Sequence, residues 1–247
     1  SIYKVMDNLT NINIQWFPGH MTKALRMMAD NIKNVDAVCE IIDARIPYSS
    51  RNPEIDKLVS SKPRIIVMNR ADLADPNITE FWKQHFTSRG YKVLVSDARN
   101  GKGLNRFEAE VCDLLSDCIE KNRLKGMEGK TLKLMTVGIP NVGKSTFINQ
   151  IAKRKAAITG DKPGVTRGKQ WIHVSDKIEL MDTPGVLWPK FESTVMGEML
   201  AVTHAVKQEI LDVETLAANF IIRLRDMYPE AFYQRYKLAE EECAGLM

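Results

Sequence analysis

Short apolar runs alternate along the chain with stretches whose apolar residues recur every three or four positions. Ala37–Ile42, Arg64–Met68, Tyr91–Val95 and Leu132–Val137 are rich in β-branched and apolar residues with little alternation. Such runs mark strands of a parallel sheet buried on both faces. Gln170–Val174 and Lys177–Met181 predict a hairpin turning at Ser175 and Asp176. Between the runs, Leu25, Met28, Ile32 and Val35 predict a helix from Met21 to Val35. Pro53 suits the first position of a helix through Leu58 and Val59, and a further helix is expected from Thr79 to Ser88. Leu104, Phe107, Val111 and Leu115 predict one continuing toward Lys121, and Thr146–Ile151 opens another. From Met196 the strand pattern stops. Met199, Leu200, Val202 and Val206, then Leu216, Phe220, Ile221 and Leu224, then Pro229 with Phe232 and Tyr236, predict three helices. The expectation is an α/β fold with a mostly parallel six-stranded sheet and a small C-terminal all-helical appendage. Residues 1–13 form a polar leader, 14–192 the α/β domain and 193–247 the helical domain.

Composition adds little to that picture. Of 247 residues, 44% are hydrophobic and 27% charged, an ordinary globular balance. No apolar run approaches the roughly 18 residues that cross a bilayer. The leader lacks a basic region followed by an apolar one, so it reads as neither secretory signal nor arginine-rich organelle address. Cys39, Cys112, Cys118 and Cys243 match no metal spacing and are expected as reduced thiols, three of them packed, in a bacterial cytoplasm. The net charge of +4 is unevenly spread. Between Lys121 and Lys177 basic residues heavily outnumber Glu128, Asp161 and Asp176, either as a polyanion-facing surface or as ordinary solvated lysines.

The chemistry lies at the carboxyl ends of the strands. Gly138-Ile139-Pro140-Asn141-Val142-Gly143-Lys144-Ser145 has the spacing of a phosphate-binding loop, with a strand before it and a helix after. Such a loop turns successive N–H groups, here those of Val142, Gly143, Lys144, Ser145 and Thr146, toward one anionic centre. Lys144 would reach the β- and γ-phosphates, and the Ser145 hydroxyl would bind Mg²⁺. Asp182-Thr183-Pro184-Gly185 follows the last strand and supplies an acid for Mg²⁺ and, in Gly185, an N–H for a γ-phosphate. Thr166, between the two, is a second candidate hydroxyl for Mg²⁺. Asn69-Arg70-Ala71-Asp72 suits a guanine reader, because the Asp72 carboxylate accepts two bonds from an edge that adenine does not offer. Arg70 stands where lysine is usual, its aliphatic stem able to cover the purine. In Asp97-Ala98-Arg99, the Ala98 N–H is the candidate donor to the base oxygen, and Asp97 replaces the usual serine.

The order of these motifs is inverted, with both base-reading segments ahead of the phosphate loop. Cutting an exposed loop and rejoining the ends leaves a packed sheet intact, so the pattern is that of a circular permutation. The chain resembles the circularly permuted ribosome-assembly GTPases of the YlqF/RbgA type from Ile14 to about Leu238. The resemblance rests on Trp16-Phe17-Pro18-Gly19-His20-Met21, Asp43-Ala44-Arg45-Ile46-Pro47, the phosphate loop, and Asp182-Thr183-Pro184-Gly185-Val186-Leu187-Trp188-Pro189. It implies a phosphate-loop GTPase fold, GTP hydrolysed to GDP with Mg²⁺, and maturation of the large ribosomal subunit. Precursor subunits, ribosomal RNA and ribosomal proteins are the implied partners of a protein that is monomeric off the ribosome and not stably membrane-bound. It also implies K⁺ assistance with Asn141 as a ligand, and further helical sequence beyond Met247.

Val186 occupies the place where Ras-like proteins carry a water-orienting glutamine, and an apolar side chain cannot do that work. The resemblance points instead to His20, which suits water activation near neutral pH. Its alternative role is to buttress the Pro18-Gly19 turn. Permutation also runs the sensor at Asp182–Gly185 through residues 186–192 into the helical domain, so nucleotide state is expected to reposition residues beyond Met196 against RNA. Two other classes stay open from sequence: a GTPase acting on another RNA or a membrane-associated partner, and a phosphate-loop ATPase or kinase. Asp72 and Ala98 argue against the last.

Overall fold

The computed structural model describes residues 19–153, 157, 170–206 and 212–237. Trp16, Phe17, Pro18, Thr166, Cys243 and the leader lie outside them. The chain divides into two compact units, one spanning Trp16–Pro189 and another containing the chain from Lys190 onward.

Six strands build the first unit: β1 (Ala37–Asp43), β2 (Arg64–Asn69), β3 (Lys92–Val95), β4 (Leu132–Val137), β5 (Gln170–Ser175) and β6 (Ile178–Asp182). They lie in the order β3-β2-β1-β4-β6-β5, and every neighbouring pair is parallel except β5 with β6. The chain therefore builds outward from β1 to the β3 edge and then returns to the middle at β4. The strand order reverses between β1 and β4, where open α/β sheets bind ligands beyond their carboxyl ends. Register aligns the tips, with Asp43 opposite Asn69 and Thr136 opposite Asp182. Every residue of β1 and β2 is buried, as the unalternating apolar runs predict.

A charged residue sits in the middle of β1. Glu40 is 2% exposed and accepts two bonds from Arg51 at 3.0 Å and one from Arg64 at 3.0 Å. Asp56 joins both arginines, and the Arg51 and Arg64 guanidiniums lie over the Tyr91 ring. A buried carboxylate is tolerable only with partners of this kind.

The helices follow the periodicity with three shifts. α1 (Gly19–Asn31) stops short of Val35 and gives way to a 3₁₀ turn at Ile32–Asn34. There the Asn31 amide donates to the Met27 carbonyl at 2.7 Å, competing with the backbone ladder. α2 (Pro53–Leu58) begins at its proline under an Asn52 cap. α3 (Pro76–Thr87) starts ahead of Thr79, because Asp75 accepts from the Asn77 and Ile78 N–H groups and Pro76 suits the first position. The helix expected to run on toward Lys121 is two pieces, α4 (Phe107–Leu114) and α5 (Ser116–Leu124), broken at Leu115. Leu115 is the last core-facing side chain of that stripe, and α5 buries none of its residues. α6 (Lys144–Ile151) follows the phosphate loop, and Phe147 meets Phe107 of α4 edge-to-face at 5.3 Å. The free cysteines differ from the packed set expected: Cys39 is buried, whereas Cys112 and Cys118 are half-buried.

In the second unit, α7 (Thr194–Val202), α8 (Val213–Met227) and α9 (Pro229–Tyr236) stand where three helices are predicted, although α7 ends at Val202, short of Val206. Glu198 of α7, 3% exposed, accepts from Asn219 at 2.6 Å and from Arg223 at 2.9 and 3.2 Å, which fixes α8 against it.

Candidate functional site

The loop after β4 has the shape its glycines suggest. Gly143 sits at φ 98°, and a Cβ there would collide with the Asn69 amide, so glycine is required twice over. Asn141, at φ 58°, is a left-handed non-glycine in the same loop. Lys144 opens α6 and is 7% exposed, its ammonium donating to the Ile139 carbonyl at 2.8 Å and the Gly138 carbonyl at 3.3 Å. Burial pulls this ammonium from 10.5 down to about 8, with Asp182 opposing the shift. Ser145 and Thr146 are half-buried in the first turn of α6.

Asp182 ends β6 at 2% exposure, and Thr183 donates to the Thr136 carbonyl of β4 at 2.6 Å. Gly185 lies against the phosphate loop: a Cβ there would come within 2.6 Å of Pro140 Cα and 2.9 Å of Lys144 Nζ. The next residues are held from several directions. Val186 N–H donates to the Gly138 carbonyl at 3.2 Å, the Asn52 amide donates to the Val186 carbonyl at 2.8 Å, and Leu187 N–H donates to Met21 Sδ at 3.4 Å. Val186 is fully buried.

The base-reading segments are tied to this loop by side chains. Asn69, 3% exposed, donates to the Val142 carbonyl at 2.9 Å while its oxygen accepts from Ala98 N–H at 3.0 Å and Ser96 hydroxyl at 3.3 Å. Arg70, left-handed at φ 61°, donates to the Asn141 carbonyl at 2.7 Å. Its guanidinium thus braces the phosphate loop in addition to offering a stem. Asp72 is exposed on the 3₁₀ turn Ala71–Leu73 that follows. The Ala98 N–H, expected to face a base oxygen, is donated to Asn69 instead. Asp97 turns inward on its own loop, accepting from Asn100 N–H at 3.1 Å and the Asn100 amide at 2.7 Å, and the latter contact holds its carboxyl below the usual carboxylate range.

The site therefore gathers Asn69, Arg70, Ala98, Asn141, Val142, Gly143, Lys144, Asp182 and Gly185, with Ser145 and Thr146 on the same loop–helix junction. His20 is exposed in the first turn of α1, next to Met21, which touches the segment after Gly185. Thr166 lies outside the described residues. Sequence reasoning missed Asn52 as part of this neighbourhood. Asn52 caps α2, accepting from Glu54 N–H at 2.9 Å. Nothing local announces that its other end reaches a residue 134 positions away.

A family model described as a 50S ribosome-binding GTPase matches residues 133–241. Ribosome biogenesis GTPase A of Bacillus licheniformis is 47% identical over 235 residues, covering 94% of this chain and 83% of the relative. Its counterpart in Priestia megaterium is 46% identical, covering 93% and 80%. Among solved structures, GNP-bound YlqF from T. maritima superposes with a TM-score of 0.59 at 26% identity, covering 89% of this chain and 86% of that one. With the permuted strand order, the loop geometry and these identities together, the chain belongs to the ribosome biogenesis GTPase A family.

Proposed function

We propose that this protein hydrolyses GTP to GDP as an assembly factor for the large ribosomal subunit, with nucleotide state coupled to ribosomal RNA binding. The observation that carries the nucleotide half is the Asn69 side chain, which fastens the phosphate loop and the Ala98 loop to the end of β2. That bracing supports a composite pocket despite the permuted order. The ribosomal half rests on the relatives, which are named for ribosome biogenesis, and the matching family model, named for 50S binding.

In this reading the N–H groups from Val142 to Thr146 bind phosphate oxygens, and Asp72 accepts from the guanine edge. Lys144 leaves the Gly138 and Ile139 carbonyls to meet the β- and γ-phosphates. Buried Asp182 and the Ser145 hydroxyl are hard oxygen donors that fit Mg²⁺, with Thr166 as a further hydroxyl. Asn141 offers a neutral amide oxygen suited to K⁺. These cations would neutralise charge developing on the transferring phosphoryl group. His20 orients or briefly accepts a proton from water, since buried Val186 cannot. No described helix is long and apolar enough to cross a membrane. A bacterial cell fits the bacterial relatives, and a monomer in its cytoplasm is part of this reading.

Competition between GTP and ATP tests the base preference. Co-sedimentation with ribosomal subunits at several salt concentrations tests the partner, since contacts of Lys and Arg with RNA phosphates weaken steeply as salt rises. Binding that is absent, or indifferent to salt, overturns the ribosomal reading. Identical protection of the helical unit with GDP and with a GTP analogue overturns the coupling.

A further inference from the structure

We propose that Asn52 is a positioning residue for γ-phosphate sensing, acting through the backbone of Val186. The proposal rests on the GTPase reading above and adds to it a group outside the nucleotide-binding segments. Asn52 is 2% exposed and uses both ends of its amide. The oxygen caps α2, accepting from Glu54 N–H at 2.9 Å and more weakly from Ile55 N–H at 3.4 Å. The nitrogen donates to the Val186 carbonyl at 2.8 Å.

Val186 immediately follows the glycine that lies against Pro140 and Lys144 of the phosphate loop. Its own N–H is held by the Gly138 carbonyl. The peptide plane between Val186 and Leu187 is gripped on both edges, its oxygen by Asn52 and its N–H by Met21 Sδ. A backbone pinned this closely on its far side restricts where the Gly185 N–H can point. A preorganised donor of that kind costs no reorganisation when charge arrives. GDP has no γ-phosphate to meet that N–H, so the consequence is confined to the triphosphate.

The two ends of the amide can be separated chemically. Asn52→Asp keeps the capping oxygen, and Asp is as good a cap as Asn. It removes the donor and places an oxygen against the Val186 carbonyl. Asn52→Ser also keeps a capping oxygen, on a shorter side chain without the amide donor, and serves if the carboxylate variant does not fold. The measurements are thermal stability, affinity for GDP and for a non-hydrolysable GTP analogue, and turnover with ribosomal subunits. The expected result for the capping variants is a lowered melting temperature, because the buried Val186 carbonyl loses its donor, with GDP affinity near wild type and GTP-analogue affinity reduced about tenfold. Turnover falls with it. Equal affinities for both nucleotides, unchanged from wild type, overturn the proposal and leave Asn52 a helix cap. An equal loss for GDP and the analogue also overturns it, pointing to general damage to the pocket. A wild-type protein that neither prefers guanine nucleotides nor hydrolyses GTP refutes the underlying reading instead.

Discussion

Leu187 donates its backbone N–H to the sulfur of Met21 across 3.4 Å, joining residues 166 positions apart. Met21 is 1% exposed, so its neighbour His20 is carried on a helical turn anchored beside the segment that follows Gly185. The arrangement supports His20 as the source of hydrolytic help. His20→Ala is expected to leave GTP affinity within about twofold of wild type and to lower ribosome-stimulated turnover by roughly a hundredfold. Single-turnover hydrolysis in the presence of ribosomal subunits reads this directly. Unchanged turnover removes His20 from the mechanism and leaves it a turn-buttressing residue.

In the proposed reading Asp72 selects the base. A carboxylate accepts from both N1–H and the exocyclic amine of guanine, whereas an amide turns one acceptor into a donor. Asp72→Asn is therefore expected to weaken GTP by about a hundredfold or more while improving xanthosine triphosphate, whose C2 carbonyl accepts from the new N–H₂. Competition with the two triphosphates measures the exchange. If GTP binds the variant as tightly as wild type, the base is read elsewhere.

Asn69 distinguishes bracing from base contact. Asn69→Ala strands the buried Val142 carbonyl and Ala98 N–H, each costing about 1–3 kcal/mol if left unpaired. Melting temperature should drop, and affinity for GDP and GTP should fall together, unlike the triphosphate-selective loss expected at Asn52. A variant that binds both nucleotides normally would show that the two loops hold their shape without the brace.

These residues also mark how far sequence alone carries. The strands were legible because β1 and β2 are buried on both faces and leave continuous apolar runs. Motif spacing alone picks out Gly138–Ser145, Asp182–Gly185 and Asn69–Asp72 as candidates, since each is local chemistry at a strand end. What spacing cannot carry is the direction of a side chain. The spacing suggests Ala98 as a donor to the base, yet its N–H goes to Asn69, and Asp97, in the place of the usual serine, folds onto Asn100. The reach of Asn52 and Met21 is hidden from sequence, because their partners at Val186 and Leu187 are set by tertiary packing. The break at Leu115 was hidden for the same reason, its apolar spacing being continuous across two helices.

Lys144 predicts a pH dependence whose sign follows from its burial. The ammonium is brought from 10.5 to about 8 in the folded chain. Between those values the unfolded chain holds a proton that the folded chain lacks, so the nucleotide-free protein gains stability as pH rises through that window. Below about pH 8 Lys144 is protonated in both states, and the cost of burying the charge is present in full. Phosphates beside the ammonium favour its charged form and raise its pKa again. Nucleotide binding above about pH 8 should therefore take up a proton, and affinity should decline as pH rises further. Calorimetry in two buffers of different ionisation heat, at about pH 8.5, measures the uptake through the buffer dependence of the binding enthalpy. Lys144→Gln should abolish that dependence as well as weaken binding. Wild-type enthalpies that agree between the two buffers would mean that Lys144 already carries its proton before the nucleotide arrives.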